Sequence, residues 1–162
     1  LYQDMKRYVR VLFICHGNIC RSPMAEFIFK DMVEKEGLSN QFQIASAATS
    51  SEEIGNPVYP PARRKLAELG ISCGGKRAVQ MVRMDYGHYD YLLAAENRNV
   101  INMKRIVGGD PEQKMYRLLD FSGSPRDIAD PWYTGDFNIA CRDIEEGCQA
   151  FLTYLRNIGQ VQ

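Results

Sequence analysis

Residues 11–25 constrain the fold more than any other part of the chain, because an apolar run there passes directly into a polar loop and then into a helix start. A short apolar run such as the one before Cys15 is typical of a strand buried inside a sheet. Gly17 lets the following loop turn tightly, and Ser22 and Pro23 are typical of the first residues of a helix. A strand that feeds a helix through a short loop begins a β–α–β unit, so the sequence predicts an α/β fold.

The same alternation of strands and helices continues along the chain. Apolar patterns and glycine stops predict strands over 8–14, 42–47, 91–95 and 114–118, and helices over 23–36, 61–69, 97–107 and 144–158. This order predicts one domain, residues 1–162, built as a three-layer α/β/α sandwich with a four-stranded, mostly parallel central sheet. A ligand site is expected at the carboxyl ends of the strands, where Cys15 lies.

The loop after the first predicted strand has the chemistry of a phosphate site. Unpaired N–H groups at a helix N-terminus attract oxyanions, and the planar guanidinium of Arg21 can grip two phosphate oxygens at once. The same groups favour the thiolate form of Cys15, which is then a nucleophile. Ser22 can donate to that sulfur or cap the helix, and Asn18 tolerates left-handed backbone angles. The predicted phosphate-binding loop after Cys15 comprises His16, Gly17, Asn18, Ile19, Cys20, Arg21 and Ser22.

The run Cys-His-Gly-Asn-Ile-Cys-Arg-Ser-Pro at residues 15–23 resembles the signature of the low-molecular-weight protein tyrosine phosphatases. Residues 46–49, 90–91 and 130–133 are similar to later landmarks of that family and follow in the family's order, so the resemblance covers about residues 7–158. It implies an enzyme that hydrolyses phosphotyrosine monoesters through a cysteinyl-phosphate intermediate. That mechanism needs neither a cofactor nor a metal ion.

A general acid must protonate the leaving group, and a base must then activate water for the second step. Asp130 is the candidate for both, because Pro131 holds it in an extended conformation, and the resemblance implies the same role. From the residues alone, Asp120, Asp127 and Asp136 stay open as alternatives, since an aspartate in a loop is often a turn or cap residue.

The residues beside the expected phosphate site predict its selectivity. The resemblance places Trp132 and Tyr133 at the mouth of the phosphotyrosine slot, although aromatic side chains more often fill cores. On the opposite side, Glu52 and Glu53 stand where the family often has an aromatic residue. Two carboxylates at the entrance are expected to repel acidic phosphopeptides and to favour basic flanking residues.

Two further positions depart from the family pattern. His16 stands where leucine is common, and Lys76 stands about where the family often has a histidine that braces the loop, so the bracing network is expected to differ in detail. Neither His16 nor His88 is expected to act as the catalytic acid, since Asp130 is better placed.

The cysteines suggest a second, protective chemistry. The resemblance implies that Cys20 forms a reversible disulfide with Cys15, which would guard the nucleophile against irreversible oxidation. The plain alternative is that Cys20 only packs under the loop. Cys73, Cys141 and Cys148 are expected to be structural.

Composition narrows the class of partner and the compartment. The chain carries 20 basic and 20 acidic residues, which argues against a nucleic-acid or membrane partner. Five cysteines, one of them a required free thiolate, suit a reducing compartment, so a cytoplasmic location is expected. The expected partner is a phosphotyrosine protein or another phosphate monoester, bound by a monomer or a weakly self-associating protein. Residues 1–4 are expected to be an expression remnant before a natural start at Met5.

Two other functions remain open at this point. Thioredoxin-coupled arsenate reductases share the loop and the fold, but they need additional cysteines on a mobile segment. The second alternative is a non-catalytic phosphate-binding or redox-sensing module, against which the combination of Cys15, Arg21 and Asp130 argues.

Overall fold

The computed structural model describes residues 8–162. The expected start at Met5 and the remnant before it lie outside this range. Four strands form one sheet in the order β2-β1-β3-β4, and all neighbours pair in parallel. Their bounds are β1 Val9–Cys15, β2 Phe42–Ala48, β3 Tyr91–Ala94 and β4 Met115–Arg117. The predicted four-stranded parallel sheet is therefore confirmed.

The helices of the described range are α1 Arg21–Lys35, α2 Pro60–Glu68, α3 Asp85–His88, α4 Asn97–Val107, α5 Pro131–Thr134 and α6 Phe137–Asn157, with 3-10 turns at Ser39–Gln41 and Leu118–Phe121. The sequence did not predict α3 and α5, because a single turn is too short to show helical periodicity. The C-terminal helix begins at Phe137 rather than at 144, because the Asp136 side chain accepts the Ile139 N–H at 2.9 Å and caps the helix there. None of the helices between residues 8 and 162 is long and apolar enough to span a membrane.

An apolar core lies on each face of the sheet, which confirms the three layers. Successive side chains of β1 point to opposite faces. On one face Phe13 packs edge-on against Phe29 of α1, with ring centroids 5.8 Å apart, and Phe29 lies 5.6 Å from Phe151 of α6. On the other face Ile14 packs in a cluster with Met103 of α4. Because the two faces of β1 pack into different clusters, a one-residue slip in its register would exchange the side chains of the two cores.

The pairing register brings three strand ends to one edge of the sheet. Cys15 lies opposite Ala48 of β2, and the Ile14 carbonyl accepts the N–H of Ala95, just after β3, at 2.9 Å. The Cys15 carbonyl accepts the Thr49 N–H at 3.0 Å. The segments that follow β1, β2 and β3 therefore meet around the end of β1, as the parallel topology predicts.

Candidate active site

The loop between β1 and α1 closes around the sulfur of Cys15, which is only 3% exposed. The sulfur accepts the backbone N–H of Asn18 at 3.3 Å and that of Ser22 at 3.4 Å. The Ser22 hydroxyl lies 3.0 Å from the same atom. Two backbone N–H groups and one hydroxyl therefore converge on this sulfur.

Asn18 holds the loop in shape. Its backbone is left-handed, with φ of 60°, and its side chain bonds outward in two directions. The Oδ1 atom accepts the Val79 N–H at 3.1 Å, while Nδ2 donates to the Ser22 hydroxyl at 2.8 Å and to the Ser46 hydroxyl at 2.9 Å. The left-handed backbone that Asn18 tolerates is therefore present.

Gly17 has a different task from the predicted one. Among the described residues, the left-handed position within the loop is Asn18 and not Gly17. A Cβ atom on Gly17 would instead lie 3.2 Å from Cγ of Glu53, tighter than ordinary van der Waals contact. The glycine thus allows the loop that carries Glu53 to approach the phosphate-binding loop.

Arg21 is the first residue of α1 and is 2% exposed. Its Nη1 donates to the Ile128 carbonyl at 2.8 Å, and its Nη2 lies 2.7 Å from Oε2 of Glu96 and 3.4 Å from Oδ2 of Asp130. Burial alone would lower the pKa of Arg21, but the negative charges of Cys15, Asp130 and Glu96 raise it above its usual value. Arg21 is thus held as a cation.

Glu96 is a site residue that the sequence reasoning missed. It lies just after the end of β3, and its carboxylate forms an ion pair with Nη2 of Arg21. Its position in the chain was the available signal, because polar residues that follow parallel strands gather at one edge of the sheet. No local pattern indicates which residue this carboxylate contacts.

Among the described residues, the Nε atom of Arg21 is buried without a hydrogen-bond partner. An unpaired buried donor costs about 1–3 kcal/mol. A ligand oxygen that accepted this N–H would remove that cost, so the guanidinium is prepared for an anion.

The loop before α5 presents Asp130 to the same place. Asp130 has an extended backbone, with φ of −79° and ψ of 111°, and its Oδ1 accepts the Trp132 N–H at 3.1 Å. The loop is anchored two residues earlier, where the Ile128 N–H donates to the Ala95 carbonyl at 2.8 Å. The extended conformation expected from Pro131 is present.

The three alternative aspartates have other contacts. Asp120 accepts the backbone N–H and Nε of Arg117 at 2.8 Å and 2.9 Å. Asp127 accepts the Asn97 N–H at 2.9 Å, and Asp136 caps α6. None of the three lines the pocket that contains Cys15. Of the four aspartates, Asp130 is the one that lines this pocket.

A single pocket collects most of the predicted site residues. Its lining consists of Cys15, His16, Gly17, Ile19, Cys20, Arg21, Glu52, Glu53, Asp130, Trp132 and Tyr133. Asn18 and Ser22 are buried beneath the loop rather than in the lining. The exposed His88, in α3, is not part of the lining either.

The two sides of the pocket mouth differ in chemistry. On one side Trp132 is 51% exposed and packs on Tyr59, with ring centroids 4.7 Å apart, and Tyr133 is 85% exposed. On the other side Oε2 of Glu52 lies 3.1 Å from Nε2 of His16. One wall is therefore aromatic and the facing wall is acidic.

Cys20 is buried at the start of α1, and all five cysteines are free thiols in this structure. Burial, and secondly the charge of Cys15, raise the pKa of Cys20 to about 12. Cys20 is therefore a protonated thiol at neutral pH. The predicted Cys15–Cys20 disulfide stays a prediction.

The chain matches one protein family over nearly all of its length. The family model described as low molecular weight phosphotyrosine protein phosphatase matches residues 10–161. The low molecular weight protein-tyrosine-phosphatase YfkJ of Bacillus subtilis is 36% identical over 155 residues, which cover 94% of this chain and 99% of YfkJ. The low molecular weight phosphotyrosine protein phosphatase of Rattus norvegicus is 35% identical over 147 residues, 88% of this chain and 92% of the relative.

Solved structures agree. The crystal structure of YfkJ superposes with a TM-score of 0.91 at 35% identity and covers 96% of this chain and 99% of that chain. A Drosophila arginine phosphatase superposes with a TM-score of 0.84 at 28% identity, over 90% of this chain and 97% of that one. Because the family model matches nearly the whole chain, the chain belongs to the low molecular weight phosphotyrosine protein phosphatase family and is an enzyme of that class.

Proposed function

We propose that this enzyme hydrolyses phosphotyrosine in proteins, with Cys15 as nucleophile, Arg21 as phosphate clamp and Asp130 as general acid and then base. The observation that carries the proposal is the shared pocket of these three side chains, beside the aromatic wall of Trp132. Family membership supports the reaction class, and the geometry supports the assignment of each role.

The phosphoryl group would bind over the loop, against Arg21. Its oxygens would accept the unpaired Nε–H of Arg21 and the N–H groups at the start of α1, where the helix dipole favours negative charge. Nη1 and Nη2 are already held by Ile128 and Glu96, so the guanidinium is oriented before substrate arrives. Preorganised donors of this kind stabilise the transition state without reorganisation.

The reaction then has two balanced steps. The Cys15 thiolate attacks phosphorus, the bond to the phenolic oxygen breaks, and that oxygen takes the proton of Asp130. Water next attacks the phosphocysteine and gives its proton to Asp130, while the S–P bond breaks and returns the thiolate with free phosphate. Ser22 would help in both steps by donating to the sulfur at 3.0 Å.

The depth of the pocket supports phosphotyrosine as the substrate. Cys15 lies at the floor and is 3% exposed, so a long, flat side chain reaches the sulfur more easily than phosphoserine does. Trp132 offers an aromatic face for the substrate ring. Glu52 and Glu53 on the other side support a preference for basic residues next to the phosphotyrosine.

The first test is hydrolysis of para-nitrophenyl phosphate and a phosphotyrosine peptide, with chelator present. Cys15→Ser is expected to abolish turnover but to keep phosphate binding, whereas Arg21→Ala is expected to lose both. Asp130→Asn is expected to slow poor leaving groups most. Asp31→Asn is a matched control, since Asp31 pairs with Lys35 on the surface of α1. Undiminished turnover by Cys15→Ser would refute the mechanism.

Substrate selectivity is tested on paired peptides. Phosphotyrosine flanked by lysines is expected to have a lower KM than phosphotyrosine flanked by glutamates, and Glu52→Gln with Glu53→Gln is expected to reduce the difference. Because one structural neighbour is an arginine phosphatase, a phosphoarginine peptide belongs in the same panel. Faster turnover of phosphoarginine than of phosphotyrosine would overturn the proposed substrate.

The two alternative functions make other demands on the chain. Cys73, Cys141 and Cys148 are all buried in the core, whereas a thioredoxin-coupled arsenate reductase needs accessible relay cysteines. Arsenate reduction in the presence of thioredoxin, without phosphatase activity, would instead indicate an arsenate reductase. Phosphate binding without any turnover would indicate a binding module.

We further propose that residues 1–162 form one domain that acts in the cytoplasm without nucleic-acid or membrane partners, as a monomer or with weak self-association. Five free thiols support a reducing compartment. The exposed rings of Trp132 and Tyr133 support self-association through the pocket rim. Sedimentation of wild type against Tyr133→Ser tests the last point, with a lower association constant expected for the variant.

A further inference from the structure

His16 connects the phosphate-binding loop to the acidic wall of the pocket. Its backbone carbonyl accepts the Ser50 N–H at 3.0 Å and the Ser50 hydroxyl at 2.9 Å. Its ring lies farther along the same segment, where Nε2 is 3.1 Å from Oε2 of Glu52. Both His16 and Glu52 line the pocket. The backbone of His16 thus holds the two segments together, while its side chain contacts the charge of the wall.

The contact between His16 and Glu52 is open to solvent. The side chain of His16 is 49% exposed and that of Glu52 is 67% exposed. A carboxylate only accepts hydrogen bonds, so Nε2 of His16 carries the proton that it donates to Glu52. Histidine is the side chain that normally gains or loses its positive charge between about pH 5 and 8. The acidic wall therefore includes a group whose charge changes near physiological pH, in direct contact with a carboxylate.

The charge of His16 alters the charge that the wall presents to a substrate. When the ring is neutral, Glu52 and Glu53 both contribute a negative charge to the lining. When the ring is protonated, its positive charge offsets that of Glu52. Glu53 has a different partner, because its Oε1 accepts Nδ2 of the neutral Asn56 at 2.8 Å. The wall is therefore less negative at low pH than at high pH.

We propose that His16 is a specificity-determining residue whose protonation sets how strongly this enzyme prefers phosphotyrosine next to basic residues. The preference is weak when the ring is protonated and strong when the ring is neutral. His16 exchanges no proton with the reacting groups, so it is not a catalytic residue. The inference rests on the proposed function, since it requires a phosphotyrosine peptide bound beside Glu52.

The test is the ratio of kcat/KM for two phosphotyrosine peptides, one flanked by lysines and one by glutamates, measured from about pH 5.5 to 8. Because both peptides are compared at the same pH, a titration that changes the turnover of both alike cancels in the ratio. The charged or titratable groups that share the pocket with His16 are Cys15, Cys20, Arg21, Glu52, Glu53, Asp130 and Tyr133. In wild type the ratio is expected to rise about two- to fivefold with pH, the modest size of a Coulomb effect at a solvated surface.

Two substitutions fix the charge at this position. His16→Gln is neutral at every pH, so its ratio is expected to stay near the wild-type value of high pH. His16→Lys is positive at every pH, so its ratio is expected to stay near the wild-type value of low pH. Both variants keep the backbone carbonyl that accepts from Ser50. An effect of altered wall shape alone would move the ratios of both variants in the same direction.

His88→Gln is the matched control, because His88 is the only other histidine of the chain. His88 is exposed in α3, where it packs edge-on against Tyr89 with ring centroids 4.8 Å apart, and it does not line the pocket. The ratio of this variant is expected to rise with pH as in wild type. Salt at about 1 M shortens the Debye length to ~3 Å and is expected to reduce the wild-type rise.

The possible outcomes are distinct. A wild-type ratio that stays constant or falls with pH would overturn the proposal, whatever the variants do. A rise that His16→Gln retains would overturn it as well, because the titrating group would then lie elsewhere. If wild type hydrolyses neither peptide, the proposed function is wrong and the role of His16 with it. Hydrolysis of both peptides with a ratio that ignores pH contradicts only the role of His16.

Discussion

Replacement of Glu96 by alanine tests whether the orientation of Arg21 depends on this carboxylate. The guanidinium is 2% exposed, and Glu96 lies 2.7 Å from its Nη2, while Asp130 is more distant at 3.4 Å. A fully buried pair that loses one partner costs ~3–5 kcal/mol. Because the Glu96 side chain is 27% exposed, we expect about 2 kcal/mol, within the range for a charged hydrogen bond.

That energy corresponds to a loss of about 30-fold in kcat/KM if it is expressed in the transition state. Without Glu96, Nη2 of Arg21 is left with Asp130, so the proposed general acid is drawn into a closer ion pair. We therefore expect a larger loss with phenyl phosphate, a poor leaving group, than with para-nitrophenyl phosphate. One half of the capping box at the start of α4 is kept, because the Glu96 N–H still donates to Oδ1 of Asn99, as it does at 3.0 Å in the wild type.

The matched control is Glu36→Ala. Glu36 bonds Arg156 at 2.8 Å on the surface, far from the pocket, and an exposed pair contributes only ~0–1 kcal/mol to stability. Its kcat/KM should equal that of wild type. If Glu96→Ala also stayed within about threefold of wild type while urea denaturation showed a folded protein, the inferred dependence of Arg21 on Glu96 would be wrong.

Three other substitutions have defined expectations. Cys20→Ser should recover less activity than wild type when peroxide treatment is followed by dithiothreitol, because the oxidised nucleophile loses its disulfide partner. Gly147→Ala should lower the free energy of unfolding, measured by urea denaturation, by about 1–3 kcal/mol, since the added Cβ would lie 2.5 Å from Cγ of Leu118. Arg126 lies in the loop before α5 that carries Asp130, called the acid loop below, and bonds Glu146 at 2.9 Å. Arg126→Ala should lower kcat for poor leaving groups several-fold while phosphate inhibition stays unchanged.

The elements with strong local signals were predicted well from the sequence. β1 was found because both of its faces are buried, which makes its sequence apolar apart from the exposed Arg10. The stops after α1 and α4 were found because Gly37 and Gly108 adopt left-handed backbone angles, with φ of 72° and 96°. The residues predicted to bind phosphate also give a local signal, since they are contiguous in the chain.

Long-range contacts explain what the sequence did not show. The pairing of Arg21 with Glu96, and of Glu26 with Lys76, joins residues far apart in the chain, and no spacing rule connects them. The start of α1 at Arg21 rather than at Pro23 has the same origin, because the first turn of the helix is shaped by the N–H of Ser22 on the Cys15 sulfur.

Arg21 also explains why the phosphate-binding loop and the acid loop act together. Its Nη1 is bonded to the Ile128 carbonyl, and the Ile128 N–H is bonded to the Ala95 carbonyl at the end of β3. One guanidinium therefore fixes the distance between the phosphate position and Asp130, two residues beyond Ile128. A lysine would keep the positive charge but could not bond the acid loop and Glu96 from one rigid plane. The distance from the acid to the leaving group governs proton transfer. The geometry of Arg21 therefore sets the position of the loop that carries Asp130 as well as that of the phosphate-binding loop.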